Sequence, residues 1–270
     1  MDDRSLKECV QAYWQESPNG STLTKASVGS PEFYSQIERE RYAVEPFIAR
    51  YAEFDTARGK RVLEIGIGVG TDFVRFGRAG AVLTGIDLTE RAAELVCRRL
   101  VLEGLHADVV VGDAEVLPFG DASFDRVYSW GVLHHTPDTP RAIREAIRVL
   151  APGGDLCLML YARHSWVAYA WWVRFALLRG RPWRSLGKVL HAHMESLGTT
   201  AYTKRELRAL FPGVEDLRLE KVATKYDRDV AGPLVKLSGN LLGWFMVVRG
   251  RKERVPVSNV KDPHRLDQTV

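Results

Sequence analysis

Cysteine is scarce in this chain, and long apolar runs are missing. The three cysteines, Cys9, Cys97 and Cys157, stand far apart and form no C-x-x-C pair, which argues against a disulfide framework and a thiolate metal site. The apolar stretch 166–178 is interrupted by Arg174 and is shorter than the about 20 residues that a membrane-spanning helix needs. The chain opens on acidic residues with no apolar segment behind them. We therefore expect no secretory signal and a cytoplasmic location.

Neither sign of charge dominates the composition. Lysine and arginine number 38 and aspartate and glutamate 34, which gives a net charge of +4. With 46% hydrophobic residues in 270, the chain is long enough for one catalytic domain with additions. The small basic excess permits an anionic acceptor but does not by itself indicate nucleic-acid binding. Basic residues cluster at 179–184 and 249–254, where solvated loops are the simplest explanation.

The most informative stretch is a glycine loop that follows a short apolar run at 62–65. Glycines stand at Gly66, Gly68 and Gly70, and a second apolar run ends at Asp87. Glycine is needed where the backbone turns sharply or lies against a ligand. A carboxylate at the end of the second strand can accept hydrogen bonds from ribose hydroxyls. The pattern predicts one half of a doubly wound nucleotide site.

The residues around the loop argue against a dinucleotide. Thr71 stands where the G-x-G-x-x-G pattern needs its third glycine, and Glu64 places an acid where a pyrophosphate would be repelled. Glu64 and Asp72 instead suit a ligand that carries a cationic amine.

Further motifs follow in a specific order. They are "GDAE-x-LPF" at 112–119, "SFD" at 123–125, "VLHH" at 132–135 followed by "PD" at 137–138, "RVL" at 148–150 and "PGG" at 152–154. Together with the glycine loop, this order resembles the class I S-adenosylmethionine (SAM)-dependent methyltransferases. The resemblance is to the branch that modifies small molecules and lipids, which includes the ubiquinone and menaquinone enzymes, and it covers about residues 40–162.

The resemblance implies a Rossmann-like α/β fold with a seven-stranded sheet whose last strand is antiparallel. We expect strands at 107–111, 126–129, 156–161, 214–222 and 241–248, and helices at 32–51, 90–104 and 142–150. The implied divisions are an N-terminal helical cap at 1–55, a SAM-binding core at 56–162, a helical lid insertion between strands five and six at 163–211, completing strands at 212–254 and a flexible tail at 255–270.

The same resemblance assigns residues to the cofactor SAM, which leaves as S-adenosylhomocysteine. The assigned residues are Glu64 and Asp72 at the amino-acid end, Gly66, Gly68 and Gly70 along the cofactor, Asp87 on the ribose, Leu88 against adenine, Asp113 and Ala114 at the adenine edge, and Trp130 and Gly131 beside the methionine part.

Four histidines are candidates for proton transfer. His134 and His135 follow strand four, where ligands bind in such sheets, and a histidine can take a proton near neutral pH. A structural role for the second of them is equally open. His191 and His193 precede Glu195 in the insertion, an order that suggests a metal site. On a helix, however, the two rings would diverge, so we expect no metal.

The insertion begins with aromatic residues at 166, 169, 171 and 172. A lid helix packed by one apolar face, an apolar acceptor pocket and contact with a membrane surface are all compatible with this composition. We expect this segment to cover the acceptor and not the cofactor.

The sequence therefore predicts a methyltransferase that acts on an O, N or C atom of a small hydrophobic or aromatic molecule, such as a secondary metabolite, quinone or isoprenoid. A glycan or lipid-linked sugar is an alternative acceptor. A protein that binds SAM without methyl transfer, as a cyclase or structural subunit, is another alternative. Trp130–Leu133 lacks the Asn/Asp-Pro-Pro-aromatic run of nucleic-acid amino-methyltransferases, so no nucleic-acid partner is expected. The oligomeric state is left open.

Overall fold

One twisted sheet forms the centre of the protein. The computed structural model describes residues 3–18 and 20–254, so the tail expected at 255–270 lies outside the described residues. The strands are β1 (Arg61–Ile65), β2 (Val82–Asp87), β3 (Asp108–Val111), β4 (Phe124–Trp130), β5 (Leu150–Ala162), β6 (Ala201–Tyr202), β7 (Val214–Val222) and β8 (Phe245–Lys252).

The strand order β3-β2-β1-β4-β5-β8-β7 places the reversal of the sheet between β1 and β4. Strands β1 to β5 are parallel, and β8 runs antiparallel to both β5 and β7. In such sheets the crevice at the reversal, outside the carboxyl ends of the strands, is where ligands bind. The expected α/β sheet with an antiparallel last strand is confirmed. The sheet differs from the expected one by an additional strand, the two-residue β6, which pairs with the end of β5.

Helices cover both faces of the sheet and form the two additions to it. They are α1 (Asp3–Glu16), α2 (Pro31–Val44), α3 (Ile48–Ala52), α4 (Thr71–Arg78), α5 (Glu90–Glu103), α6 (Thr139–Val149), α7 (Trp166–Phe175), α8 (Leu186–His193), α9 (Lys204–Ala209), α10 (Lys225–Ala231) and α11 (Leu234–Ser238). Among the described residues, no helix has both the length and the apolar character needed to cross a membrane.

Some expected boundaries were wrong, and the reasons are local. The helix expected at 32–51 is two helices, because Pro46 follows Glu45 and the residue before a proline is driven out of the helical conformation. The last strand begins at Phe245 and not at 241, because 239–242 form a single 3-10 turn. Strand β5 already begins at Leu150, six residues earlier than expected.

The core consists of two large apolar clusters on opposite faces of the sheet and a small third one, in which α2 packs on Val69 and Leu95. Neighbouring residues of one strand join different clusters, as Val127 and Tyr128 do in β4. Cys157 is buried in β5 within one of these clusters, as its alternation with Leu156 requires. The same cluster extends to Tyr161, Trp244 and other aromatic residues at the carboxyl edge of the sheet.

A substitution of Gly243, which precedes β8, tests how closely this segment packs against the end of β7. A β-carbon there would lie 2.4 Å from the carbonyl carbon and oxygen of Val222, which are backbone atoms and cannot turn aside. We expect Gly243→Ala to lower the free energy of unfolding by about 1–3 kcal/mol, as overpacking does, measured by urea unfolding. Gly120→Ala is the matched control, since its nearest neighbour would be the Ser123 hydroxyl at 3.5 Å. Equal urea midpoints for the two variants would show that the backbone at Val222 does not exclude a β-carbon at position 243.

Candidate functional site

A cavity of about 560 Å³ opens at the carboxyl ends of the parallel strands. At one end it is lined by polar residues at or just beyond the carboxyl ends of β1, β2 and β3, such as Glu64, Asp87 and Asp113. At the other end its walls are mainly apolar and come from the lid and from the start of β8. These walls include Val167, Trp171, Met194, Tyr226, Val230, Trp244 and Phe245. The two ends belong to one continuous space.

The glycine loop after β1 can be formed only by glycine at its first position. Gly66 has a φ of +80°, and a β-carbon on it would lie 2.3 Å from the Val132 side chain. Gly70 also has a positive φ of 75°, but it does not line the cavity. A β-carbon there would meet Val96 at 2.9 Å, so the third glycine permits packing against α5 and not contact with a ligand.

Asp87 fixes the glycine loop against the end of β2. Its Oδ2 accepts a hydrogen bond from the Gly68 N–H at 3.0 Å, and its Oδ1 accepts from the Thr89 N–H and hydroxyl at 3.0 and 2.8 Å. Burial raises the pKa of Asp87, and these hydrogen bonds oppose that rise. Three of the four lone-pair positions of the carboxylate are thus used.

Asp72 lies at the centre of a buried polar network. Its carboxylate accepts from Arg41 at 2.6 Å, from the Tyr42 hydroxyl at 2.7 Å and from the Tyr128 hydroxyl at 2.8 Å. Burial alone would raise the pKa of Asp72, but the Arg41 charge and these donors outweigh it, so the pKa lies below its usual value. Its oxygens are therefore occupied by protein groups, although the residue lines the cavity.

Glu64 differs from Asp72 because it lacks such partners. The residue is 4% exposed, and among the residues that the structure describes no group donates a hydrogen bond to its Oε2. Burial, followed by the negative charge of Asp72, raises the pKa of Glu64 well above its usual value, against the opposing charge of Arg41. A buried oxygen without a partner costs about 1–3 kcal/mol, so this position favours a ligand that donates to it.

Helix α1 closes the polar end of the cavity. Lys7 Nζ lies 2.5 Å from Asp113 and 2.6 Å from Glu115, and Gln11 donates to the Leu88 carbonyl at 3.0 Å. The Trp14 ring meets the His135 ring edge-on, with 5.2 Å between centroids. One helix therefore contacts both the polar end and the middle of the cavity.

His134 and His135 occupy different environments. The His134 ring is fully buried outside the cavity lining, packs on Tyr161 with 3.9 Å between centroids, and has no hydrogen-bond partner among the described residues. Burial, with a smaller effect of His135, lowers the pKa of His134 far below its usual value. His135 lines the cavity, and burial lowers its pKa to about 3.

The hydrogen bonds of His135 determine which ring nitrogen carries its proton. Nδ1 lies 2.9 Å from both the Ser196 and Thr199 hydroxyl oxygens. Thr199 donates its own hydrogen to the Ser196 carbonyl at 2.7 Å, so its oxygen can only accept from Nδ1. The neutral ring therefore carries its proton on Nδ1 and a lone pair on Nε2. Nε2 is 3.9 Å from the Glu195 carboxylate.

The lid contributes Glu195 and not its two histidines. Glu195 lines the cavity and accepts a hydrogen bond from the Tyr161 hydroxyl at 3.1 Å, and burial raises its pKa. His193 stacks on Phe175 with 4.3 Å between centroids, outside the cavity lining, and His191 is exposed. The motif that contains the two histidines thus indicated the right segment, but its polar side chain in the cavity is the glutamate.

The structure brings most of the sequence-predicted site residues together. Those that line the cavity are Glu64, Gly66, Gly68, Asp72, Asp87, Leu88, Asp113, Ala114, Trp130, Gly131 and His135, whereas Gly70, His134, His191 and His193 do not. Sequence reasoning missed Lys7, Trp14, Arg41 and Tyr161, for which no local motif exists.

Part of the chain is similar in sequence to known methyltransferases. Residues 63–158 match the family model described as "Methyltransferase domain". The 27-O-demethylrifamycin SV methyltransferase of Amycolatopsis mediterranei is 43% identical over 103 residues, which is 37% of this chain and 38% of that protein. The phthiotriol/phenolphthiotriol dimycocerosates methyltransferase 1 of Mycobacterium ulcerans is 45% identical over 147 residues, or 54% of this chain and 49% of that protein. The matches thus span less than half the length of these relatives.

A solved structure extends the similarity of the fold to most of the chain. A SAM-dependent methyltransferase of Thermotoga maritima, described as a possible histamine N-methyltransferase, superposes with a TM-score of 0.53 and 22% identity, covering 90% of this chain and all of that one. Residues 63–158 are therefore similar to a methyltransferase domain, and the fold of most of the chain is similar to that of this SAM-dependent methyltransferase.

Proposed function

We propose that the protein transfers a methyl group from SAM to a hydroxyl of a small, mainly apolar acceptor. The observation that carries this proposal is the continuity of the cavity, which joins the Glu64 and Asp87 end to a chamber with aromatic walls. Donor and acceptor can therefore meet in one enclosed space. Bringing two reactants into line in this way supplies a large part of catalysis.

The polar end fits SAM residue by residue. The unpaired Glu64 oxygen would accept from the cationic amine of the cofactor, and the free lone pair of Asp87 would accept from a ribose hydroxyl. When bound, SAM supplies a methyl group on a positively charged sulfur. The remaining proposed contacts are Gly66, Gly68, Trp130 and Gly131 along the methionine part and Leu88, Asp113 and Ala114 around adenine, all of which line the cavity.

The other end suits an acceptor with one polar group on an apolar body. Its polar side chains, His135, Tyr161 and Glu195, are grouped on one side of the aromatic walls. The names of the two relatives refer to a rifamycin and to dimycocerosates, which supports a natural-product or lipid acceptor. We further place the protein in the cytoplasm, since its three cysteines are free thiols.

His135 is the proposed base. Its Nε2 lone pair faces Glu195 across 3.9 Å, a gap too wide for a direct hydrogen bond but suitable for a hydroxyl that contacts both groups. Methylation of the hydroxyl oxygen would release S-adenosylhomocysteine and would leave the hydroxyl proton to His135 Nε2. The Glu195 carboxylate would offset the positive charge that the ring then carries. His191 and His193 are not part of the proposal, because they lie outside the cavity lining.

The role of Glu64 can be tested by measuring how many protons are released when SAM binds. Because the pKa of Glu64 is raised in the free protein, binding of a cationic amine, which favours the carboxylate, should lower this pKa and release at most one proton. Calorimetry of SAM binding in buffers of different ionisation enthalpy measures this number. Glu64→Gln should abolish the release and weaken SAM binding by about 1.5–3 kcal/mol, whereas Glu94→Gln, on the outer face of α5, should change neither. Proton release that survives in Glu64→Gln would refute the assignment.

The role of His135 can be tested with labelled SAM and a panel of hydroxylated aromatic and lipid acceptors. We expect His135→Phe to lower turnover by about 10²-fold, the lower end of the contribution of a general base, because a ring with a pKa of about 3 is a weak base, and Glu195→Gln to lower it less. The SAM dissociation constant should change less than tenfold in both variants.

Two controls accompany this measurement. Because the pKa of His135 is about 3, the ring is already neutral above that value, so the wild-type rate should show no inflection at the ordinary histidine value of 6.5. His191→Ala, in an exposed position of α8, should keep wild-type turnover. Unchanged turnover in His135→Phe would exclude the ring as the base.

A further inference from the structure

The lid is positively charged, without any compensating acid, over its first two thirds. Residues 163–194 contain five arginines and one lysine and no aspartate or glutamate, although the whole chain has 34 acidic residues in 270. Arg163 pairs with Glu206. The other five are Arg174, Arg179, Arg181, Arg184 and Lys188, and within residues 3–18 and 20–254 they form no ion pair.

The same region carries unusually exposed apolar side chains. Leu178 is 75% exposed and Trp183 is 78% exposed in the lid, and Leu237 is 88% exposed and Leu241 75% exposed after α10. Tyr226, Val230 and Leu234 add to them. Scattered single apolar residues on a surface are ordinary, but a contiguous group indicates an interaction site.

These two segments form one surface because they are joined through α7. Helix α7 packs against α10, and α10 against α11, and Trp166 donates to the Ser238 hydroxyl at 2.9 Å. Trp172 donates to the Arg184 carbonyl at 2.8 Å, which holds the loop with Trp183 close to α7. We call the exposed residues of 174–188 and 226–241 the lid surface.

The lid surface adjoins the apolar end of the cavity through α7 and α10. Val167 and Trp171 of α7 line the cavity, and so do Tyr226 and Val230 of α10. The last two are also about half exposed, so they form part of the rim. An apolar molecule that leaves a lipid phase at this rim could enter the cavity without crossing water.

We propose that the lid surface binds to an anionic lipid bilayer and that the acceptor enters the cavity from it. Leucine and tryptophan side chains insert at the headgroup boundary, while arginine stems lie along the apolar region and their charges contact lipid phosphates. A second copy of this chain fits less well, since a symmetric dimer would place this surface against itself and bring the unpaired arginines together. The entry route rests on the proposed function, but membrane binding does not.

Flotation with lipid vesicles tests the proposal on the whole chain. The protein should float with vesicles that contain about one-third phosphatidylglycerol in phosphatidylcholine, should stay behind with phosphatidylcholine alone, and should be released by high salt, which screens charge. A triple variant, Arg179→Gln with Arg181→Gln and Arg184→Gln, should lose roughly 100-fold in partitioning, at about fivefold for each charge.

Substitutions of exposed leucines by serine test the apolar contribution of the lid surface. Leu178→Ser combined with Leu237→Ser should lower partitioning onto the vesicles at least about tenfold, because less apolar area is then removed from water. Val101→Ser with Leu102→Ser is the matched control, because these α5 residues are also exposed, 82% and 48%, but lie outside the lid surface. Unchanged circular dichroism and SAM affinity show that each variant is folded.

Three results would overturn the proposal. They are equal flotation with both kinds of vesicle, equal losses in the lid and control double variants, and a dimer in light scattering that dissociates in the lid variants. Because SAM affinity is measured beside flotation, normal SAM binding without flotation rejects only the membrane surface. Flotation without SAM binding rejects the proposed function and leaves the surface in place.

Discussion

The buried ion pair between Arg41 and Asp72 is the interaction on which the rest of the site depends. It joins the N-terminal helix α2 to α4, and through Tyr128 to β4, so three parts of the fold meet at one carboxylate. Removing one partner of such a pair usually costs about 3–5 kcal/mol, because a charge remains buried alone. By occupying Asp72, the network also leaves Glu64 as the acid in this corner with an oxygen available to a ligand.

The sequence allowed prediction of the site wherever its parts are close together in the chain. Gly66, Gly68 and Asp87 belong to one strand–loop–helix–strand unit, so spacing alone assigns them to the same edge of the sheet. Pro46 marks the end of α2 in the sequence, although residues that favour a helix stand on both sides of it. The fold class followed from the order of the motifs, which fixes the succession of strands and helices.

The residues that could not be predicted come from distant segments. Lys7 reaches Asp113 across 106 positions, and Glu195 reaches Tyr161 of β5 only because the lid folds back over the sheet. No local sequence pattern predicts such contacts between distant segments. The histidine-rich motif before Glu195 indicated chemistry in the correct segment, but the direction of α8 decided which side chain faces the cavity.

The contacts of Lys7 and Trp14 have a consequence for the proposed reaction. Helix α1 is held at Asp113 and Glu115, and its Trp14 touches His135. Under the proposed function, any displacement of this helix that admits a new cofactor would also move the ring that lies against the proposed base. Cofactor exchange and methyl transfer would then exclude one another in time, and the two partly buried charge contacts of Lys7 would oppose the displacement.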